Sequence, residues 1–257
     1  MLTRILYIWH IIGKLLSFGF FGGNCLLLFS VGFPLMHILS GFSERRFKIL
    51  ARKVNFIYFK IFVLFMKLIG CITVSVENKE ALKNLKSRVV IANHPSLLDV
   101  VILFSQVPNA DCIVKGALIQ NKFMSRIIRN LYIPNSLSFE EQLEQAKRSM
   151  EEGSNLIIFP EGTRSRPGEP WQFKKGAARF ALYANVEVTP IYFGGNEKIG
   201  LRKFDRMLQF HPTERFHYNL KVLSEISVNE FVDMPMSKSA ILLTDKMKSV
   251  LEQEHHK

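Results

Sequence analysis

The sequence is poor in cysteine, with only Cys25, Cys71 and Cys112. An odd and scattered set argues against a disulfide framework and a cysteine-based zinc site, so we interpret these residues as buried thiols of a reducing compartment. The seven histidines lack the spacing of metal ligands, and we predict no metal and no cofactor. The sequence also lacks internal repeats, low-complexity segments and the Gly-x-Ser-x-Gly motif of serine hydrolases.

Acidic residues are outnumbered: 22 Asp and Glu stand against 34 Lys and Arg, which gives a formal net charge of +12. This balance favours an anionic partner, either nucleic acid or a membrane surface. Neither a zinc-finger spacing nor an RNA-binding aromatic motif is present, so we predict no nucleic-acid partner. A hydrophobic content of 48% instead favours contact with membrane lipids.

Residues 15–43 contain no charged side chain, and about 20 apolar residues suffice to cross a bilayer. We therefore predict a membrane-associated helical segment. Because Gly32 and Pro34 interrupt the run, a re-entrant or in-plane helical pair is an alternative. A cleaved signal peptide fits less well, since its apolar stretch is shorter and a small-residue cleavage site should follow.

Residues 44–69 combine a basic cluster with a run rich in phenylalanine. We interpret them as a helix in the lipid headgroup region, with a helix packed on the following domain as the alternative. More Lys and Arg follow the apolar run than precede it, where only Arg4 and Lys14 stand. This asymmetry places the chain from residue 44 onward in the cytoplasm. We predict an anchoring helical region over 1–70 and a second domain over 71–257.

From residue 71 the pattern alternates between strands and helices, which predicts an α/β fold with a mostly parallel central sheet flanked by helices. The predicted strands are Ile72–Val76, Arg88–Ala92, Cys112–Val114, Asn155–Phe159, Val186–Phe193 and Asn219–Ile226. The predicted helices are Leu97–Ser105, Leu118–Arg129, Phe139–Glu152 and Lys174–Ala184. Ser138 and Glu141 form a capping box for the third of these helices.

His94 and Asp99 form a candidate acid–base pair. His94 follows a predicted strand, and Pro95 marks the start of a helix, so His94 lies in a turn and Asp99 in the first helical turns. The turn can fold the imidazole back onto the carboxylate, which then fixes the tautomer and leaves the other ring nitrogen to take a proton. An oxyanion formed beside this base could be bound by the amides that follow Pro95 or by nearby basic residues.

A second block, Glu161-Gly162-Thr163-Arg164, follows the strand that ends at Phe159. Gly162 lets the backbone approach a ligand closely, and Arg164 suits an anion. Lys174 and Lys115 could extend this basic wall. Glu161 is expected to orient Arg164 or to bind an acceptor hydroxyl. Together the two blocks indicate a site that deprotonates a hydroxyl on an anionic acceptor.

These blocks resemble the glycerolipid acyltransferase superfamily. His94 and Asp99 match its His-x4-Asp block, Phe159 to Arg164 match its Phe-Pro-Glu-Gly-Thr-Arg block, and Val188 to Ile191 match its Val-x-Pro-Ile block. The resemblance implies a membrane-bound acyltransferase whose catalytic domain lies on the cytoplasmic face. Its acyl donor would be acyl-CoA or acyl-carrier protein, its acceptor a lysolipid, and His94 its general base.

One position departs from that family. Members that use lysophosphatidic acid carry a Gly-x-x-x-x-Arg block whose arginine helps to hold the acceptor phosphate, and Asn135 stands where this arginine is expected. The departure predicts that lysophosphatidic acid is a poor acceptor. Two other functions stay open: a non-enzymatic membrane-binding protein on a degenerate scaffold, and a thioesterase.

Overall fold

A computed structural model describes residues 2–114, 116, 132–206, 209–211 and 213–257. A mostly parallel sheet is flanked by helices and is preceded by a long helical hairpin. The fold class predicted from the sequence is therefore confirmed.

The N-terminal hairpin consists of one long helical arm and a return helix. Its segments are α1 (Leu2–Leu27), a π-helical turn (Leu28–Gly32), α2 (Phe33–Leu39) and α3 (Glu44–Leu68). The π-helical turn lies just before Pro34, which has no N–H to donate, so the helix continues past the proline through a widened turn. The Ser43 side chain caps the start of α3. By length and composition, residues Thr3–Leu39 could cross a membrane, and few residues of the most apolar part of this stretch are buried.

Seven strands form one sheet in the order β1-β7-β6-β2-β5-β3-β4. The strands are β1 (Ile72–Glu77), β2 (Val89–Ala92), β3 (Ala110–Val114), β4 (Ile133–Pro134), β5 (Asn155–Ile158), β6 (Val188–Gly194) and β7 (Phe216–Val222). Neighbouring strands are parallel except β6 and β7. All four residues of β2 are fully buried at the centre of the sheet, so the chain that leaves its carboxyl end is rigidly placed.

Helices cover both faces of the sheet. The described helices of this domain are α4 (Glu80–Lys83), α5 (Asp99–Gln106), α6 (Phe139–Glu151), α7 (Gly176–Ala184) and α8 (Met236–His255), with a 3₁₀ turn at Asn229–Phe231. The α3 and α5 helices share one apolar cluster with the sheet, and α6, α7 and α8 share a second. The sheet is therefore buried on both faces, as parallel sheets require.

The hairpin is joined to the sheet domain along its length. Arg52 in α3 donates from Nε to Asp111 Oδ1 of β3 at 2.7 Å and from Nη2 to Ser149 Oγ of α6 at 2.6 Å. Both charged side chains are about 95% buried. Further along α3, the Phe59 ring stacks on Phe104 of α5. Hence α3 is packed on the domain, which was the alternative to a helix in the headgroup region.

Several boundaries differ from those predicted. The helix expected to begin at Leu97 begins at Asp99, because the residues before it form the turn that carries His94. The strand expected over Asn219–Ile226 starts three residues earlier, where alternate side chains from Phe216 onward are buried. The sequence pattern did not predict α4, α8 or β4. The predicted helix Leu118–Arg129 lies outside the described residues.

Candidate active site

The His94 turn joins the centre of the sheet to α5. Just before it, the buried Asn93 side chain accepts from Phe193 N–H at 2.7 Å and donates to Phe193 O at 2.9 Å. These two bonds tie the end of β2 to β6. The Phe159 ring, from the end of the neighbouring strand β5, stacks on the imidazole with ring centroids 4.1 Å apart. The position of His94 is therefore set by three adjacent strands.

The structure brings His94 and Asp99 together. His94 Nδ1 lies 2.8 Å from Asp99 Oδ2, and the carboxylate is fully buried while the imidazole is 18% exposed. Asp99 also accepts from Ser96 N–H at 2.6 Å and from the Ser96 hydroxyl. Three donors hold this carboxylate at the amino-terminal end of α5, where the helix dipole favours a negative charge. The turn-plus-helix arrangement predicted from the sequence is present.

A buried polar chain continues behind Asp99, and the sequence reading missed it. The Ser96 hydroxyl lies 2.8 Å from the Tyr218 hydroxyl of β7, and the Lys198 ammonium lies 4.6 Å from the centre of the Tyr218 ring. Lys198 is only 3% exposed. Burial lowers the pKa of Lys198 to about 8, and the charge of Asp99 acts in the opposite direction. Because Lys198 and Tyr218 follow no motif and lie 99 and 119 positions after Asp99, only the fold reveals them.

The second block clamps the backbone of His94. Glu161 Oε1 accepts from His94 N–H at 3.0 Å across 67 positions of sequence, and Ser165 N–H donates to His94 O at 2.7 Å. Burial raises the pKa of the Glu161 carboxyl, which is 7% exposed, and the bond from His94 acts in the opposite direction. In this structure Glu161 therefore positions the His94 turn, instead of orienting Arg164 as expected.

Arg164 is also engaged with backbone. Its Nη1 donates to Leu201 O at 2.9 Å and to Arg202 O at 3.0 Å. Gly162 has a φ of +69°, and a Cβ built there would lie 3.1 Å from Lys174 Nζ. Glycine thus makes room for that ammonium group, which the structure brings to the block. Thr163 is exposed.

The amides that follow Pro95 are already bonded. Ser96 N–H donates to Asp99, Leu97 N–H to Leu201 O at 3.0 Å, and Leu98 N–H to Ser96 Oγ at 3.3 Å. The expectation that these amides bind an oxyanion is therefore wrong for this conformation. Each of them instead stabilises the turn or joins it to a neighbouring loop.

Two other predicted positions lie at the edge of the site. Lys115 is outside the described residues. Asn135, in the place of the expected arginine, accepts from Gly116 N–H through Oδ1 at 2.8 Å and donates its own N–H to Val114 O at 2.9 Å. Its side chain therefore holds the end of β3 against β4.

Two cavities flank the His94 turn. A largely apolar cavity of about 330 Å³ lies between the hairpin and the domain, and is lined by Leu97 and Leu98 from the turn and by Phe62 and Phe210. A more polar cavity of about 560 Å³ reaches Asn93 and Pro95 on the turn. Among the residues that the structure describes, no cluster of three His, Cys, Asp or Glu could hold a metal ion.

Comparisons with known proteins identify acyltransferases as relatives of this chain. A family model described as Acyltransferase matches residues 73–194, which include both blocks and β6. The fold is similar to the crystal structure of the 1-acyl-sn-glycerophosphate acyltransferase PlsC of Thermotoga maritima, with a TM-score of 0.66 and 22% identity over 95% of this chain and 97% of that one.

Named relatives have similar sequences. The putative 1-acyl-sn-glycerol-3-phosphate acyltransferase acl-1 of Caenorhabditis elegans is 30% identical over 65% of this chain and 68% of its own length. A probable 1-acyl-sn-glycerol-3-phosphate acyltransferase of Mycoplasma pneumoniae is 29% identical over 72% of this chain and 70% of its length. The chloroplastic LPAT1 of Arabidopsis thaliana is 34% identical over 48% of this chain, and the match spans only 37% of that protein. The chain therefore belongs to the glycerolipid acyltransferase superfamily.

Proposed function

We propose that the protein transfers a fatty acyl group from an acyl-CoA or acyl-carrier-protein thioester to a hydroxyl of a lysolipid. The observation that carries this proposal is the 2.8 Å contact between His94 Nδ1 and the buried Asp99 carboxylate. If Asp99 accepts a proton from Nδ1, the lone pair of Nε2 can act as a base. Among the described residues, Nε2 has no hydrogen-bond partner.

The chemistry needs no covalent intermediate on the protein. His94 takes the proton of the acceptor hydroxyl while its oxygen attacks the thioester carbonyl. The tetrahedral intermediate then collapses, the carbon–sulfur bond breaks, and the proton on His94 returns to the departing thiolate. Asp99 stabilises the imidazolium between these two proton transfers.

The two cavities provide separate places for the apolar and polar parts of the substrates. The cavity beside Leu97 and Leu98 is lined mainly by apolar side chains, which suits an acyl chain. The larger cavity beside Asn93 and Pro95 has a more polar wall, which suits a headgroup. Because the His94 turn separates them, the scissile thioester would lie at their junction.

The acceptor that we propose is lysophosphatidic acid. The relatives from Caenorhabditis elegans and Mycoplasma pneumoniae are both named for 1-acyl-sn-glycerol-3-phosphate, which counts against the expectation drawn from Asn135. That side chain has a backbone partner, so Asn135→Arg removes a hydrogen bond at the end of β3. We expect the substitution not to improve kcat/KM for lysophosphatidic acid. An increase specific to this acceptor would show that the native chain lacks a phosphate-binding charge.

The direct test is transfer from labelled acyl-CoA and acyl-carrier protein to a panel of lysolipids. His94→Ala should lower kcat by about 10²–10⁴, as for other general bases, in a protein that still folds. His217→Ala, at an exposed position of β7, is the matched control and should be near normal. Release of free fatty acid without an acceptor would identify a thioesterase. Near-normal transfer by folded His94→Ala would refute the mechanism.

We further propose that the hairpin holds the protein in the membrane by the exposed apolar side of α1. Trp9 Nε1 donates to Ile69 O at 2.8 Å, and Phe20 stacks on Phe65, so α1 lies along α3 instead of projecting away. This geometry favours the in-plane arrangement over a helix that crosses the bilayer. High salt and alkaline carbonate should leave the protein membrane-bound. Salt screens charges, but it does not extract an apolar helix face that is buried in lipid. Recovery in the soluble fraction would contradict this proposal.

The catalytic domain is expected on the cytoplasmic face, as the charge asymmetry of the sequence predicts. Protease added to sealed membrane vesicles of known orientation tests this expectation. Digestion of the domain only when its cytoplasmic side is outside would support it, and protection in that orientation would refute it.

A further inference from the structure

The loop at residues 200–206 presents an unusual aromatic side chain. Phe204 is 74% exposed, and among the described residues from β1 onward no large hydrophobic side chain is more exposed. Its φ is +73°, a left-handed backbone conformation that is unfavourable for a bulky residue. Such an outlier persists only where the surroundings enforce it, and it points to a functional constraint.

The surroundings that enforce it are on the same loop. Asp205 Oδ2 accepts from Gly200 N–H at 2.6 Å, from Arg202 N–H at 3.2 Å and from Arg202 Nε at 3.0 Å. These hydrogen bonds hold the pKa of Asp205 below its ordinary value, although burial alone would raise it. The loop is therefore a built structure that projects Phe204 outward.

Positive charge surrounds the exposed ring. Lys203 Nζ lies 5.2 Å and Arg166 Cζ 5.1 Å from its centre. Arg166 is paired with Glu169, and Arg202 with Asp205 and Glu197. In the part of the chain that the structure describes, Lys203 and Arg206 have no carboxylate within 4.0 Å. The loop thus combines an exposed apolar side chain with two cations that lack an acidic partner.

The loop also connects the hairpin to the catalytic turn. Lys14 of α1 donates to Gly200 O at 2.8 Å. The next carbonyl, Leu201 O, accepts from Leu97 N–H in the His94 turn and from Arg164. The loop is therefore hydrogen-bonded both to α1 and to the His94 turn, so a contact made by the loop is transmitted to the site.

We propose that loop 200–206 is a bilayer-contact surface, in which Phe204 enters the acyl boundary while Lys203 and Arg206 face anionic lipid headgroups. Aromatic and basic side chains in this combination suit the membrane interface. The connection to the exposed apolar helix α1 favours a lipid surface over a protein partner. The contact would hold the His94 turn at the surface where lysolipids are presented. Its spectroscopic test does not depend on the proposed function.

The test uses full-length protein in vesicles of phosphatidylcholine and phosphatidylglycerol. Phe204→Trp should emit at shorter wavelength in vesicles and should be quenched by lipids brominated on their acyl chains, after subtraction of the parent signal from Trp9 and Trp171. Tyr183→Trp is the matched control, because Tyr183 is an exposed aromatic residue with Lys147 over its ring on the opposite layer. It should stay unquenched. An unquenched Phe204→Trp protein that floats with the vesicles would overturn the proposal.

The role of the two cations is tested in the same vesicles by removing their charges. Lys203→Gln combined with Arg206→Gln, in the Phe204→Trp background, should lower the ratio of inserted to withdrawn loop about fivefold for each charge removed. The effect should disappear without phosphatidylglycerol. Lys147→Gln combined with Arg148→Gln, on the opposite layer, should leave the quenching unchanged. Quenching that is equally insensitive to both pairs would overturn the role assigned to anionic headgroups.

Discussion

Replacing Lys198 by methionine should stabilise the protein at neutral pH. Lys198 is 3% exposed, and its ammonium donates to two backbone carbonyls, Asn196 O and Gly194 O, which compensate the buried charge less well than a carboxylate would. Burial lowers its pKa from 10.5 to about 8. At about 1.4 kcal/mol for each pH unit, the charged form costs the folded state about 3 kcal/mol. Lys198→Met keeps the length of the side chain and removes this cost.

The pH dependence of the stability shows whether the buried charge of Lys198 is the cause. Below pH 8 both the folded protein and the unfolded chain hold the proton, so the full cost is present. Between pH 8 and 10.5 the folded protein loses its proton while the unfolded chain keeps it, so the stability of the native protein rises with pH. Above 10.5 neither state is charged. The advantage of Lys198→Met should therefore be greatest at pH 7 and should close across this window.

Thermal unfolding in detergent micelles at pH 7 and at pH 10 measures the difference. Lys221→Met is the control, and it should change the stability in the opposite direction. The hydrogen bond with Glu254, at 2.7 Å, raises the pKa of Lys221. Its stabilising contribution is present at neutral pH and is lost as pH rises through that raised value. A Lys198→Met protein that is no more stable than the native one at pH 7, or whose advantage is the same at pH 10, would refute the reasoning.

Two further substitutions test buried charges elsewhere. Arg52→Ala leaves the Asp111 carboxylate buried without its cation, so it should cost about 3–5 kcal/mol of unfolding free energy, measured by denaturant titration. Arg52→Met combined with Asp111→Leu should recover most of that loss, and a double variant as unstable as Arg52→Ala would contradict this account. Burial raises the pKa of Glu161, so Glu161→Gln should be more stable than the native protein at neutral pH and no more stable at acidic pH, while keeping an oxygen that accepts from His94 N–H. Loss of the fold or of all transfer activity in Glu161→Gln would show that the charge itself is required.

The sequence predicted the elements whose signals are local. The strand before His94 reads as a continuous apolar run because β2 is buried on both faces, and Ser138 with Glu141 makes the capping box that the structure contains. The helix start at Asp99 was displaced by two residues, since a turn stabilised by side chains replaces the first predicted helical turn. The C-terminal helix α8 was not predicted, although its fully buried residues Ala240, Leu243, Met247 and Leu251 recur at helical spacing.

The site could be predicted from the sequence only for the residues that belong to a motif. The contact between His94 and Asp99 depends on a spacing of five residues, which a turn can close. The partners Tyr218 and Lys198 depend on the position of β7 beside β6, and no local pattern encodes that order. For the same reason the sequence suggested that Glu161 orients Arg164 or binds an acceptor hydroxyl, and did not predict that β5 lies beside β2 and brings this carboxylate to the backbone N–H of His94.

The clamp on His94 has a consequence for the energetics of turnover. Its N–H is bonded by Glu161 and its carbonyl by Ser165 N–H, so the backbone on both sides of the imidazole is fixed before any substrate arrives. If His94 is the general base that we propose, it gains and loses a proton in a frame that need not reorganise during the reaction, because the dipoles around it were oriented when the protein folded. The two sequence blocks therefore fix the His94 turn together. Loosening either block would increase the reorganisation energy and slow the proposed proton transfer, even with His94 and Asp99 still in place.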